Sequence, residues 1–343
     1  YKPALVIHHF LKIHFGAALR RGSPYCVLSY HGFPQSTSAA GQVSASALSE
    51  AGWEVDTGSE NCYTACIPIN FGVCDNLEVD DGQIRIVADS SCNILALDGV
   101  EFVSVPLTIR TDTEEFRDDA ALDVNEMVTV LRSTKGRSYS ACPNITDWEE
   151  AFGDSGDVLA FTITSSLSGS YNAACIARDA CQERDPSRRI YVVDSLSAGP
   201  EIGLLIEKAL SEVRAGADFG AVCRAVKAYH ERTHLLFALE SMHNLAQNGR
   251  ISKLAATMAG VLGIRAVGQA SAEGTLEMLE KCRGLRKTRE FMLHAMEELG
   301  YKGGSVRIGH CQNPALALEL CTEIQQKYPG ADVKSHGLRG LCS

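Results

Sequence analysis

The stretch that decides the fold is Val158 to Ala174, VLAFTITSSLSGSYNAA. Its first part, Val158–Ile163, is a run of strand length with no apolar/polar alternation. That is the signature of a strand buried on both faces. The next eight residues, Thr164-Ser165-Ser166-Leu167-Ser168-Gly169-Ser170-Tyr171, are dominated by small hydroxyl side chains. A helical segment containing Ala174, Cys175 and Ala177 follows. A buried strand, a polar turn and a helix in succession read as one βα unit.

The same unit recurs on either side. Ile84–Ala88 (IRIVA) and Val100–Leu107 read as strands, the second ended by Pro106, and Ile190–Val193 (IYVV) as another. Helices are expected over 201–214, with Ile202, Leu205, Ile206, Ala209, Leu210 and Val213 on one stripe, and over 218–230 behind Asp218 as N-cap. Further on come a strand at Leu235–Leu239, a glycine-punctuated stretch at 249–274, and helices over 287–299 and from Pro314 to Pro329-Gly330. The fold class is α/β, a mainly parallel sheet with flanking helices followed by a smaller α/β domain. Three segments are expected: a leader at 1–82, a first domain at 83–231, and a second at 232–343, with the hinge after helix 218–230 near Arg232-Thr233.

Composition narrows the function. The 343 residues are 45% hydrophobic and 22% charged, which suits a soluble chain with a large core. A net charge of -10 argues against a broad nucleic-acid surface. The most apolar stretch near the start, 4–19, is broken by His8, His9, Lys12 and His14, so stable membrane insertion is not expected. Thirteen cysteines without a CxxC, most of them alone in apolar segments, fit reduced thiols of a cytoplasmic protein. Residues 1–49 hold four basic and no acidic residues, and 50–81 hold eight acidic and no basic ones. The leader is read as poorly ordered and without function, with a transit peptide as the other reading. Cys62, Cys66 and Cys74 match no standard zinc spacing.

In an open parallel sheet the loops at the strand carboxyl ends converge on one crevice. Four such loops are rich in Ser and Asp: Asp89-Ser90-Ser91, Ser138 to Asn144, Thr164 to Tyr171, and Asp194-Ser195-Leu196-Ser197. Hydroxyls at a strand-to-helix turn, with the free N–H groups of the first helical turn, suit an anion, and Gly169 permits close approach. A serine-rich helix cap with no ligand has the same composition.

These turns carry a resemblance. IVADSS (86–91), SACPN (140–144), TSSLSGSYNAA (164–174) and VVDSLSAG (192–199), with Asn248-Gly249-Arg250-Ile251-Ser252 and Lys281-Cys282-Arg283-Gly284, resemble the DegV family. That family comprises bacterial fatty-acid-binding proteins, among them the acyl-binding subunit of fatty-acid kinase. The likeness runs from about residue 83 to the end; 1–82 has no counterpart.

The resemblance implies a fatty acid held between two domains, its tail in an apolar tunnel. The carboxylate-binding hydroxyls fall on Ser140 and Ser168, with Gly169, Asp89, Ser90, Asp194 and Ser195 supporting the head-group site. Arg283 falls where the family has an arginine supporting phosphoryl transfer. The implied partners are a long-chain fatty acid and the ATP-binding kinase subunit. The chain is expected to be a monomeric carrier, not itself an enzyme, with no cofactor and no metal. Ser140 and Cys142 replace the family's usual Thr and Gln, and Ala266 stands where Pro is common. Relatives continue through a glycine-rich strand bearing a head-group His, so the second domain is expected to be C-terminally truncated and His336 to be a surface residue. The stretch 254–264 suits a tunnel wall or a plain buried helix.

Two other classes remain at this level. One is a serine hydrolase combining Ser168, Asp194 and His230 or His243, although Ser166 occupies the first Gly of the G-x-S-x-G elbow. The other is a phosphate-binding enzyme using the Ser165–Ser170 turn, although no P-loop lysine follows.

Overall fold

The computed structural model describes residues 25–29, 54–56, 64–68, 84–134, 136–251 and 263–342. The chain divides into two compact units, 1–80 and 81–343. In the first, β1 (Tyr25–Ser29), β2 (Glu54–Asp56) and β3 (Thr64–Pro68) form an antiparallel sheet in the order β1-β3-β2. The other leader residues, Cys62 and Cys74 among them, lie outside the described residues.

The second unit begins with a four-stranded sheet. It is built from β4 (Arg85–Asp89), β5 (Phe102–Val105), β9 (Val158–Thr162) and β10 (Ile190–Asp194), in the order β10-β9-β4-β5. All three pairings are parallel. The lack of alternation in VLAFT is explained by what covers the two faces. Ile86, Ala88, Leu159 and Phe161 pack against α4 (Pro200–Arg214) and α5 (Phe219–His230). Val87, Val158, Ala160 and Val192 pack on the opposite face against α2 (Ile145–Phe152) and α3 (Ser170–Arg184), where Trp148 and Phe152 are completely buried. Asp218 caps α5 as its sequence suggests, accepting from the Ala221 N–H at 3.0 Å. A small antiparallel sheet, β7-β6-β8, lies beyond this layer: β6 (Thr108–Arg110), β7 (Glu115–Arg117) and β8 (Tyr139–Ala141), with α1 (Val124–Ser133). The Ser138–Asn144 segment, expected as a turn, therefore contains a short strand.

The remainder holds two more sheets. One is antiparallel, β11 (Leu236–Leu239), β12 (Ile264–Ala270) and β13 (Leu276–Arg283). The five-residue α6 (His243–Gln247) follows β11, and α7 (Leu285–Glu298) follows β13. The other is the parallel pair β14 (Ser305–His310) and β15 (Asp332–Gly337), joined by α8 (Pro314–Lys327). Part of the glycine-punctuated stretch is thus a hairpin strand, while all of the proposed tunnel wall 254–264 except its last two residues lies outside the described residues. Ala266 is buried within β12. His336, expected at the surface, is instead half-buried on β15, because β14 and the following segment fold back onto the N-terminus of α4. Among the described residues no helix is long and apolar enough to cross a membrane.

Candidate functional site

Asp89 ends β4 and caps the 3-10 turn Ser90–Cys92. Its carboxylate is completely buried and accepts from the Ser91 N–H (3.3 Å), the Ser91 hydroxyl (2.5 Å), the Ile163 N–H (2.9 Å) and the Ser170 hydroxyl (2.6 Å). Burial pushes its pKa up, and the four donors oppose that shift. One carboxylate thus clasps the ends of β4 and β9 to the first turn of α3. With every lone-pair direction taken, Asp89 shapes the site without facing a ligand. Ser90 points away as well: its hydroxyl donates to Asp118 (2.9 Å) and accepts from the Leu107 N–H (3.0 Å). The buried Ser195 hydroxyl donates to the Ser197 carbonyl (3.0 Å). Asp194 braces two loops, its Oδ1 accepting from the Ser165 and Leu196 N–H groups at 3.1 Å each.

Ser168 differs from these. It is half-buried, and its oxygen accepts from the Ser170 N–H at 3.3 Å, which leaves its proton to donate. The N-cap of α3 is Gly169, with no side chain to satisfy the first-turn N–H groups. Ser140 is exposed on β8 and its hydroxyl has no hydrogen bond among the described residues. The two serine turns meet: a Cβ on Gly169 would lie 3.2 Å from the Cys142 thiol. A Ser168 proton available beside the positive end of a fifteen-residue helix suits a carboxylate.

One turn is also tied to the hairpin of the antiparallel sheet and the other to the end of α6. The Ser166 hydroxyl donates to the Glu273 carbonyl (2.5 Å) at the tip of the β12–β13 hairpin. Gly274, the next tip residue, has φ +74, and a Cβ there would stand 2.1 Å from the Thr164 hydroxyl. On the other side the Asn248 amide donates to the Ser138 carbonyl (3.0 Å), and Arg137 donates to the Gln247 carbonyl. The sheet between these two tethers walls an apolar cavity of about 370 Å³. Phe237, Leu239, Met242, Leu245 and Ile251 line it, with Thr275 and Leu276 from the hairpin. Among the described residues its cationic wall residue is Arg250, whose guanidinium donates to the Asn248 carbonyl at 2.9 Å.

Arg283 stands apart. It is exposed at the far end of β13, eight strand residues from the hairpin tip, about 25 Å at ~3.3 Å per residue. Arg250 and the hairpin contacts escaped the sequence reading. Arg250 lay inside a recognised motif, but nothing in its spacing marks it as a cavity wall. The hydrolase triple does not assemble. The His230 Nε2 is bonded to the Ser195 carbonyl at 2.7 Å, Asp194 is engaged by backbone, and Ser168 has no bond to either imidazole.

A parallel sheet with serine-rich turns at its strand ends, joined to a second lobe that walls a cavity, is a two-domain α/β architecture. Residues 83–342 match the DegV family model, and the chain belongs to the DegV family, which the model describes as uncharacterised. A DegV domain-containing protein of Streptococcus pneumoniae strain R6 is 41% identical over 263 residues, 76% of this chain and 94% of that one. Among solved structures, a DegV family protein from Eubacterium eligens loaded with heptadecanoic acid matches with TM-score 0.74 and 45% identity. The Streptococcus pneumoniae Fatty Acid Kinase B3 protein loaded with linoleic acid matches with TM-score 0.74 and 41% identity. Each of these two structures is matched over 76% of this chain and 94% of its own.

Proposed function

We propose that this protein holds a long-chain fatty acid, its tail in the cavity under the β11–β13 sheet and its carboxylate at the meeting of the Ser140 and Ser168 turns. The observation that carries this reading is the pairing of an apolar cavity with two tethers that lead from its walls to those turns. The fatty acids in the two similar structures support it. The Ser168 hydroxyl, the Ser140 hydroxyl and the uncapped N–H groups of α3 are the donors, and Arg250 lines the tail's cavity. Asp89, Ser90, Asp194 and Ser195 act one step back, holding the loops in register.

The energetics are ordinary. A buried CH₂ contributes about 0.8 kcal/mol, so a sixteen-carbon tail offers on the order of 10 kcal/mol before the cost of association. The protein is then a carrier and not a catalyst. The name of the pneumococcal structure motivates the partner, an ATP-binding kinase subunit that phosphorylates the presented carboxylate. Arg283, exposed at the end of β13 and not part of the cavity's lining, is assigned to that exchange and not to lipid binding. We further propose a cytoplasmic monomer with lobes at 83–231 and 232–343; the free state of every described cysteine side chain suits a reducing compartment.

Mass spectrometry of ligand extracted from the purified protein tests the reading. Co-purified C14–C18 acyl chains are expected; a protein that neither carries nor takes up any fatty acid would refute it. Arg283→Ala is expected to retain its lipid while forming acyl phosphate more slowly with ATP and the kinase subunit. Normal turnover by that variant would remove Arg283 from the exchange.

A further inference from the structure

A second cavity, of about 250 Å³, shares the loop after β10 and Tyr171 of the Ser168 turn with the lipid site but none of the lipid cavity's walls. Tyr171, Tyr191, Asp194, Leu196, Lys227 and His230 line it. The Lys227 ammonium is exposed and has no hydrogen-bond or ion-pair partner among the described residues. His230 is held in place by the Ser195 carbonyl at 2.7 Å. Its lining thus combines one ammonium and two tyrosine side chains with one carboxylate whose Oδ1 is already engaged by backbone. That balance suits a single negative charge and disfavours a dianion, which Asp194 would repel. Leu196 and the tyrosine rings suit an apolar body, and the volume, below the usual drug-sized range, suits a molecule no larger than benzoate.

The shared loop links the cavity to the Ser168 turn. Leu196 is held at φ 49, in the left-handed region that a branched aliphatic residue rarely occupies. Its N–H and that of Ser165 converge on the same Asp194 oxygen, at 3.1 Å each. The Thr164 N–H donates to the Ser197 carbonyl at 2.9 Å, and the Leu196 Cα abuts the hairpin tip, 2.9 Å from where a Cβ on Gly274 would be. A ligand that pulls on Asp194 or lifts Leu196 therefore shifts the amides of Thr164 and Ser165 and the seat of the hairpin.

We propose that this cavity is an effector site for a small apolar monocarboxylate, and that its occupancy is transmitted through Asp194–Ser197 to the turn bearing Ser168 and to the hairpin tip. It rests on the lipid reading for what it regulates, but not for its test. Sodium benzoate is the probe. Calorimetric titration of the full chain should show saturable binding, with Kd ~1 mM or tighter, weakened at least ~tenfold by Lys227→Glu. Tyr191→Ala, at an exposed edge-strand position, should weaken it as well. Hydrogen–deuterium exchange with and without benzoate should change at 164–168 and 271–274. No saturable binding, or binding indifferent to Lys227→Glu, would overturn the site. Unchanged exchange at both segments would overturn the coupling. A protein that met these expectations yet took up no fatty acid would count against the lipid reading alone.

Discussion

At the scale of single residues, the serines of this site divide by where their protons go. The hydroxyls of Ser90, Ser91, Ser170 and Ser195 are spent on protein acceptors, whereas Ser168 receives an N–H and keeps its own proton. Ser168→Ala should therefore cost a charge-assisted bond to the bound carboxylate, ~1.5–3 kcal/mol, or roughly 10- to 100-fold in affinity by lipid exchange, with little change in stability. Unchanged affinity would remove Ser168 from the head-group site. Asp89→Asn should act the other way round. An amide NH₂ would face N–H and O–H donors where the carboxylate accepted from all of them. A destabilisation of about 2 kcal/mol or more in denaturant melts is expected, and a wild-type midpoint would contradict the clasp. Sequence alone assembled these residues, because Ser- and Asp-rich loops at strand ends have to converge. It could not tell which hydroxyls face inward, because direction depends on partners such as Ile163 and Asp118 that lie far away in the chain.

At the scale of elements, the hairpin of β12 and β13 decides how the two lobes meet. Gly274 at its tip has both a left-handed backbone and no room for a Cβ against Thr164. Gly274→Ala should unseat the tip, with a cost of roughly 1–3 kcal/mol and faster loss of bound lipid. An unaltered release rate would mean the tip does not hold the cavity closed. The buried strands and amphipathic helices were legible because their apolar periodicity is strong: α4 buries Ile202, Leu205, Ile206 and Ala209, the residues its spacing selects. The hairpin was not. In LEMLEKCR (276–283) only Cys282 is buried, so no apolar alternation announces a strand. The three-residue strands of the β7-β6-β8 sheet are too short to show any period.

At the scale of the whole molecule, β14 and β15 are fastened to α4. The Arg307 guanidinium, nearly enclosed, reaches both oxygens of Glu207 on α4 (2.7 and 2.5 Å) and one of Asp332 on β15 (2.6 Å). Half-buried His336 sits beside this seam. Burial lowers its pKa, the nearby His310 and Arg307 lower it further, and Glu207 opposes them. A histidine that resists protonation when folded stabilises the protein above its ordinary pKa of 6.5, and that stability is lost as pH falls toward the depressed value. Asp89 and Asp118 work in the opposite sense. Burial raises both, so their favourable contribution belongs to low pH and fades as pH rises through their folded values. Below about pH 6.5 the wild type should therefore lose melting temperature relative to His336→Gln, whose carboxylates keep their opposing trend. Parallel profiles for the two proteins would exclude His336 as the cause.

The segment after β15 returns to the first strand of the parallel sheet. The Arg339 N–H donates to Asn93 (2.7 Å), the Leu341 N–H to Asp118 (3.3 Å), and the Cys342 thiol to the Ser91 carbonyl (3.5 Å). On the ribosome, Ser91 emerges some 250 residues before the cysteine that closes over it. Until translation reaches that point the nascent first lobe is left with an open flank, exposed to chaperones and proteases, and a chain released early would lack the stitches that finish its oldest turn.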